Sequence, residues 1–195
     1  LTNLANCQPA TAGARVFVSP QAANWFAQQQ RVAYLNVWVD SNRDGDWADG
    51  FTCVDPAGQN KTVVEHILID FPIDVAALGA GLHNLPNIAT NTLLWPQQLA
   101  NRPAWVRFTL SEAPSNKPLT FGGIQYGDGR GFANAFRTGE TEDFRWQPQG
   151  GGDGDGPDMA VQIAGQIARQ IAPGTQSAQL RLKIDYANLG SQPAR

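Results

Sequence analysis

Arg31-Val-Ala-Tyr-Leu-Asn-Val-Trp-Val-Asp40 is the stretch that decides the architecture of this chain. In an extended segment Leu35, Val37 and Val39 fall on one side and Tyr34 and Trp38 on the other. A strand that is apolar on both faces is expected at the centre of a sheet, covered twice. Working outward, residues 104–110 alternate cleanly, with Ala104, Val106, Phe108 and Leu110 against Trp105, Arg107 and Thr109. Residues 142–147 put Phe144 and Trp146 opposite Asp143 and Arg145. Residues 62–73 carry Val63, Ile67, Ile69 and Phe71 at alternating positions, with Glu65 breaking the pattern. A shorter β-prone run at 14–19 ends at Pro20, residues 24–30 read as a short helical turn, and 79–91 and 113–118 read as loops. Several strands with long connections and no helix-length period predict an all-β chain, an antiparallel β-sandwich of jelly-roll or Ig-like kind.

Residues 149–157 (QGGGDGDGP) contain no side chain able to pack and are expected to be a flexible linker. This divides the chain into a sandwich with an N-terminal arm (1–148), the linker, and a short, incomplete β segment (158–195). In that tail Leu180, Leu182, Ile184 and Tyr186 alternate with Gln179, Arg181, Lys183 and Asp185, the pattern of a half-buried strand. Residues 160–172 fit either a strand or a helix up to Pro173-Gly174. Two strands do not make a stable sheet by themselves in water, so the tail is expected to be incomplete by itself: either the sequence stops inside a longer repeat or the missing strands come from another subunit.

Fourteen basic and seventeen acidic residues among 195 give a net charge of −3. No basic stripe marks a nucleic-acid partner, and no run of about eighteen apolar residues marks a membrane span. The only methionine is Met159, so Leu1 is expected to follow a cleavage, of a signal peptide or of an upstream segment, or to be an artificial boundary. Scarce lysine and plentiful Asn, Gln, Thr and Gly resemble secreted β proteins. Cys7 and Cys53, the only cysteines, lack metal-ligand spacing. In an oxidising compartment they are expected to pair; two buried free thiols are the other arrangement open to them.

The sharpest chemical signal follows the central strand directly. Asp40-Ser-Asn42-Arg-Asp44-Gly45-Asp46 places oxygen side chains at alternate positions and glycine at the sixth, the first half of a calcium loop. Its twelfth position is Phe51, so a carboxylate from elsewhere must complete a site. An ion-free Asp/Asn/Gly turn is the plain alternative, set against the mutual repulsion of carboxylates with no lysine nearby. Enzyme chemistry finds no footing: His66 and His83 are far apart and neither neighbours a recognisable nucleophile. The chain is therefore read as non-catalytic.

Three motifs in order, Tyr34-Leu-Asn-Val-Trp-Val-Asp-Ser-Asn-Arg-Asp-Gly-Asp-Trp47, Trp105-Val-Arg-Phe-Thr-Leu-Ser-Glu112 and Gly139-Glu-Thr-Glu-Asp-Phe144, resemble the GEVED domain family over residues 12–148. Its members are β-sandwich modules of bacterial secreted and surface proteins. The resemblance implies that the Asp-rich loop and the closing acidic motif meet around Ca²⁺. Asp40, Asn42, Asp44 and Asp46 would line one side, and Glu142 would supply a carboxylate, with Glu140 and Asp143 competing for that role. Alternatively, the acidic motif caps N–H groups or pairs with Arg107 or Arg137. The tail resembles the opening of an immunoglobulin-like surface repeat.

The expected function is a calcium-binding structural or adhesive module, secreted or on the cell surface. Its partners are expected to be other surface-protein domains or further copies of itself, through strand donation by Leu180, Leu182, Ile184 and Tyr186 into a filament. The other reading is a carbohydrate-binding accessory module, with Trp25, Trp47 and Trp95 as candidate glycan contacts.

Overall fold

The computed structural model describes residues 1–131, 139–146, 159–163 and 184–188. The expected linker at 149–157, Leu180 and Leu182 lie outside the described residues. In chain order the strands are β1 (Gln8–Val18), β2 (Ala33–Val39), β3 (Gly50–Val54), β4 (Asn60–Val64), β5 (His66–Ile73), β6 (Gly81–Leu93), β7 (Ala104–Ser111), β8 (Leu119–Phe121), β9 (Ile124–Tyr126), β10 (Gly139–Trp146), β11 (Met159–Ile163) and β12 (Ile184–Asn188). Two helices, α1 (Pro20–Gln29) and α2 (Val75–Leu78), join them. The chain divides into two compact units, Leu1–Pro148 and Gln149–Arg195. In the second, β11 and β12 pair antiparallel, with Met159 opposite Asn188 and Ile163 opposite Ile184.

The first unit is an all-β sandwich. Its main sheet is antiparallel in the order β10-β7-β2-β5. β2 is central and every residue of it except Tyr34 is buried, as its two apolar faces require. On the inner face Leu35, Val37 and Val39 lie opposite Leu110, Phe108 and Val106. The β1–β6 ribbon covers that face. Ala10, Ala12, Val16 and Val18 of β1 and Ile88 and Leu93 of β6 join one core with Phe26 of α1 and Val75 of α2.

Three local features differ from the sequence expectations, each for a definite reason. Residues 79–91, expected as a loop, form most of β6. Pro86 and Asn87 are accommodated opposite Gly13, where the β1–β6 register shifts between Ala12 and Ala14. A bulge removes the need for the N–H that proline lacks. Pro20 does more than end β1: it is the first residue of α1, whose N-cap Ser19 accepts a hydrogen bond from Ala22 N at 3.1 Å. The helix therefore begins earlier than the expected turn at 24–30. Finally, Asp70 takes a left-handed φ of +51°, its N–H donates to Asn36 Oδ1 at 2.8 Å, and the β2–β5 register shifts between Leu35 and Val37. Beyond it Phe71 is partly exposed while Ile73 is buried.

Residues 113–131 cover the outer face of the sheet around Trp38 and His66. Trp38 and His66 stack with ring centroids 4.0 Å apart, and Trp38 Nε1 donates to Gly127 O at 2.9 Å. Gly127 N donates to His66 Nδ1 at 3.1 Å, while Nε2 meets Asn36 Oδ1 at 2.8 Å. Because Nδ1 accepts, the proton sits on Nε2 and the ring is neutral. His66 is fully buried, and burial pushes its pKa down to about 3. The unfolded chain binds this proton near pH 6.5 and the folded one does not, so stability is full above 6.5 and falls as the pH drops from there toward 3. We expect this contribution to approach about 1.4 kcal/mol per pH unit within that window. Because buried Glu65 acts in the opposite sense, its pKa being pushed up to about 8, the contribution is read as the difference between wild type and His66→Gln in equilibrium urea unfolding across pH 3.5–7, a difference that should grow as the pH falls.

Candidate metal centre

The loop of residues 40–49 leaves β2 and enters β3, and a single buried residue holds both of its ends. Glu65 stands between β4 and β5 and is wholly buried. Its backbone accepts from Val39 N at 2.9 Å and donates to Asp49 O at 3.1 Å. Its side chain accepts from Ser41 N through Oε1 at 2.7 Å and from Asp49 N through Oε2 at 3.4 Å. Burial pushes this carboxyl up to about 8; the charges of Asp40 and Asp49 push the same way, against the two N–H groups.

Within the loop, Asp40 shapes the turn. Its Oδ1 accepts from Arg43 N at 2.7 Å and Asp44 N at 3.2 Å, and its Oδ2 from Gly45 N at 3.2 Å. Gly45 has φ +97°, which an L residue rarely adopts. Asp44 Oδ1 then accepts from Asp46 N at 3.2 Å, and Asp46 Oδ1 from Ala48 N at 2.8 Å. This succession of Asx turns coils the segment and brings Asp44, Asp46 and Asp49 together, with carboxylate oxygens within 4.8 Å of one another. Asn42 lies between two of them, its Nδ2 donating to Asp44 Oδ2 at 2.8 Å and Asp49 Oδ2 at 2.6 Å.

The nearest cation does not neutralise the cluster. Arg43 turns its guanidinium inward, where Nη1 donates to the carbonyls of Asp40 and Ser41, both at 2.7 Å, and the group lies 4.4 Å above the Trp95 ring. Burial raises the Asp49 carboxyl above its ordinary range, and the charges of Asp44 and Asp46 add to the effect. For Asp44 burial is outweighed by hydrogen bonds from Asn42 and the Asp46 N–H, which hold it low. The donor set is all hard oxygen, with neither thiolate nor imidazole. It suits a Ca²⁺-like cation and not a soft or borderline metal.

Of the expected ligands, Asp40, Asn42, Asp44 and Asp46 therefore share one loop, with Asp40 buried beneath it and Asp44 and Asp46 exposed at its surface. Asp49 joins them, lying just past the half-loop pattern. Glu142 is placed elsewhere. It is on β10, separated from β2 by β7, and pairs with Phe108 on the inner face. The carboxylate from outside that reaches the loop is Glu65. Asp143, on the outer face, grips Arg107 through Nε and Nη2, both at 2.6 Å. Arg107 also donates to Gly129 O at 2.8 Å and lies 4.0 Å over the Trp47 ring. The closing acidic motif thus bears on the loop through Arg107 and Trp47. Its opening Gly139 has φ +141°, and a Cβ there would come within 2.1 Å of Leu110 O.

Cys7 and Cys53 form a disulfide, tying the N-terminal arm to β3, the strand the loop enters. Of the tryptophans considered for glycan contact, Trp95 is buried against Trp146 with centroids 5.0 Å apart, Trp47 lies beneath Arg107, and Trp25 packs edge-on against Phe26. No described helix is long and apolar enough to cross a membrane. No family model, no curated protein and no solved structure matches the chain.

Glu65→Ala removes the acceptor from two N–H groups at opposite ends of the loop and leaves a void. We expect a loss of about 2–4 kcal/mol in chemical unfolding. Glu65→Gln, which keeps the shape and an acceptor, should cost about 1 kcal/mol or less.

Proposed function

We propose that this chain is a non-catalytic, GEVED-like module of a secreted or cell-surface protein, in which Ca²⁺ locks the loop of residues 40–49 at one end of the sandwich. The observation that carries this reading is the convergence of Asp44, Asp46 and Asp49 at the surface of a loop already coiled by Asp40 and clamped by Glu65. Like charges held this close repel one another, and a divalent cation relieves that repulsion while supplying a ligand-binding partner for each carboxylate. Asp44, Asp46 and Asp49 would hold the ion, with the Asn42 amide turned to offer its oxygen, and the ion would supply rigidity rather than a reaction. The Cys7–Cys53 disulfide supports an oxidising compartment. The module's role is to present stiffened loops to neighbouring surface-protein domains.

The same reading assigns the tail to self-association. A two-stranded pair is marginal by itself, and β12 carries Ile184 and Tyr186 of the alternating set expected to dock. Donation of residues 158–191 to a neighbouring copy would supply the main-chain hydrogen bonds of an open sheet edge.

Thermal unfolding in millimolar Ca²⁺ against excess chelator tests the ion. At a hundredfold the dissociation constant, binding to the native state adds about 2.7 kcal/mol, a shift of several degrees. We expect Asp44→Ala and Asp49→Ala each to abolish the shift; an unchanged midpoint in wild type would contradict the proposal. Sedimentation velocity at rising concentration tests the tail. Polymers that vanish when residues 158–195 are deleted are expected, and a monomer at every concentration would exclude donation.

A further inference from the structure

A cleft of about 370 Å³ opens beside the loop. Arg102, Trp105 and Arg145 form one wall; Asp40, Arg43 and Asp44 border the other. The sheet itself creates this juxtaposition. Asp40 N donates to Trp105 O at 3.0 Å, and Arg145 is the cross-strand partner of Trp105. The three residues therefore share one rung across β2, β7 and β10, on the outer face. Arg102 comes from the turn before β7, where its N–H donates to Leu99 O at 2.8 Å.

Two features of this wall call for a ligand. Trp105 is 47% exposed, although its neighbours in the strand, Ala104 and Val106, are buried and the next outward residue, Arg107, is capped by Asp143. A large flat ring left open beside two arginines in a concave site is a stacking surface. Second, among the described residues neither Arg102 nor Arg145 has an ion-pair partner. Arg43 also lines the cleft, its guanidinium turned inward over Trp95. Two exposed guanidinium groups without an ion-pair partner among the described residues fit a planar anion, which each can hold with two parallel hydrogen bonds.

We propose that the cleft binds an acidic saccharide, a pyranose bearing a carboxylate. Trp105 would pack on the C–H face of the ring, Arg102 and Arg145 would take the carboxylate, and the exposed carboxylate of Asp44 would accept from a sugar hydroxyl. The volume suits a small ligand or one or two units of a chain, at the low end of ordinary binding sites. An acidic peptide would satisfy the arginines but leave the flat ring and the hydroxyl acceptor without partners. The site adds to the calcium reading and rests on it in one respect: a cation in the loop would offset the repulsion between Asp40, Asp44 and the incoming carboxylate.

Isothermal titration of the full chain with an octasaccharide of alternating glucuronate and N-acetylglucosamine tests this, with neutral cellohexaose and hexaglutamate as comparisons. We expect saturable binding of the acidic octasaccharide alone. Trp105→Ala and the double variant Arg102→Gln/Arg145→Gln should each weaken it by about tenfold or more, with Trp105→Phe restoring most of the affinity. All these positions are exposed, and an unchanged unfolding midpoint would establish that the variants fold. Absence of binding, equal binding of cellohexaose, or hexaglutamate binding that Trp105→Ala leaves intact would each overturn the proposal. Chelator and Asp49→Ala, a residue of the acidic cluster that does not line the cleft, separate the two readings. Acidic-saccharide binding that persists without any calcium-dependent midpoint shift would sink only the calcium reading, whereas an intact shift without saccharide binding would sink only this one.

Discussion

The arrangement depends on a carboxyl group placed where a strand pattern calls for an apolar side chain. Glu65 is buried between β4 and β5 and is bound by backbone or side chain to Val39, Ser41 and Asp49. Burying a carboxyl is unfavourable unless its oxygens are satisfied, and these are satisfied by N–H groups that flank the acidic loop. The loop's two ends are thereby fixed to the sheet, and its middle is free to coil around Asp40. Without that clamp, Asp44, Asp46 and Asp49 would sit on a length of exposed chain, where mutual repulsion would drive them apart.

A second constraint comes from the far end of the sequence. β10 is the edge strand of the main sheet, yet Asp143 reaches the loop's exit by gripping Arg107, which covers Trp47. Trp47 follows Asp46 directly, so the ion pair stabilises the ring that anchors the turn. Surface ion pairs contribute little when isolated and exposed. This one is bidentate, partly shielded, and joined to a cation–π contact, so its effect is on position as much as on stability.

How far the sequence was legible follows from the range of each interaction. β2, β7 and β10 could be read because strict alternation reports a covered face directly. The acidic turn after β2 could be read because its spacing is local. β6 was hidden by Pro86 and Asn87, whose usual meaning in a strand is cancelled by a bulge opposite Gly13. The true start of α1 was hidden because Pro20 reads as a terminator when its role as a first helical residue depends on Ser19. Glu65 was visible only as a break in a pattern. Its partners lie sixteen to twenty-six residues away, at Asp49, Ser41 and Val39, and no local rule points to them. For the same reason the outside carboxylate was sought in the closing acidic motif, at Glu142, when pairing with Phe108 places that residue on the inner face, with β7 between its strand and β2.

Taken together, a sheet, a disulfide beside the loop's exit and a clamped acidic turn hold three carboxylates where a cation could bind, with an arginine- and tryptophan-lined cleft next to them. The central claim is that the loop binds one calcium ion through Asp44, Asp46 and Asp49. The most direct test is equilibrium titration of the chelator-treated full chain with Ca²⁺, followed by calorimetry. The account predicts one ion per chain, with binding lost in Asp49→Ala and retained in Glu142→Ala. A wild-type chain that takes up no calcium, or one whose binding survives loss of Asp49 but not of Glu142, would contradict it.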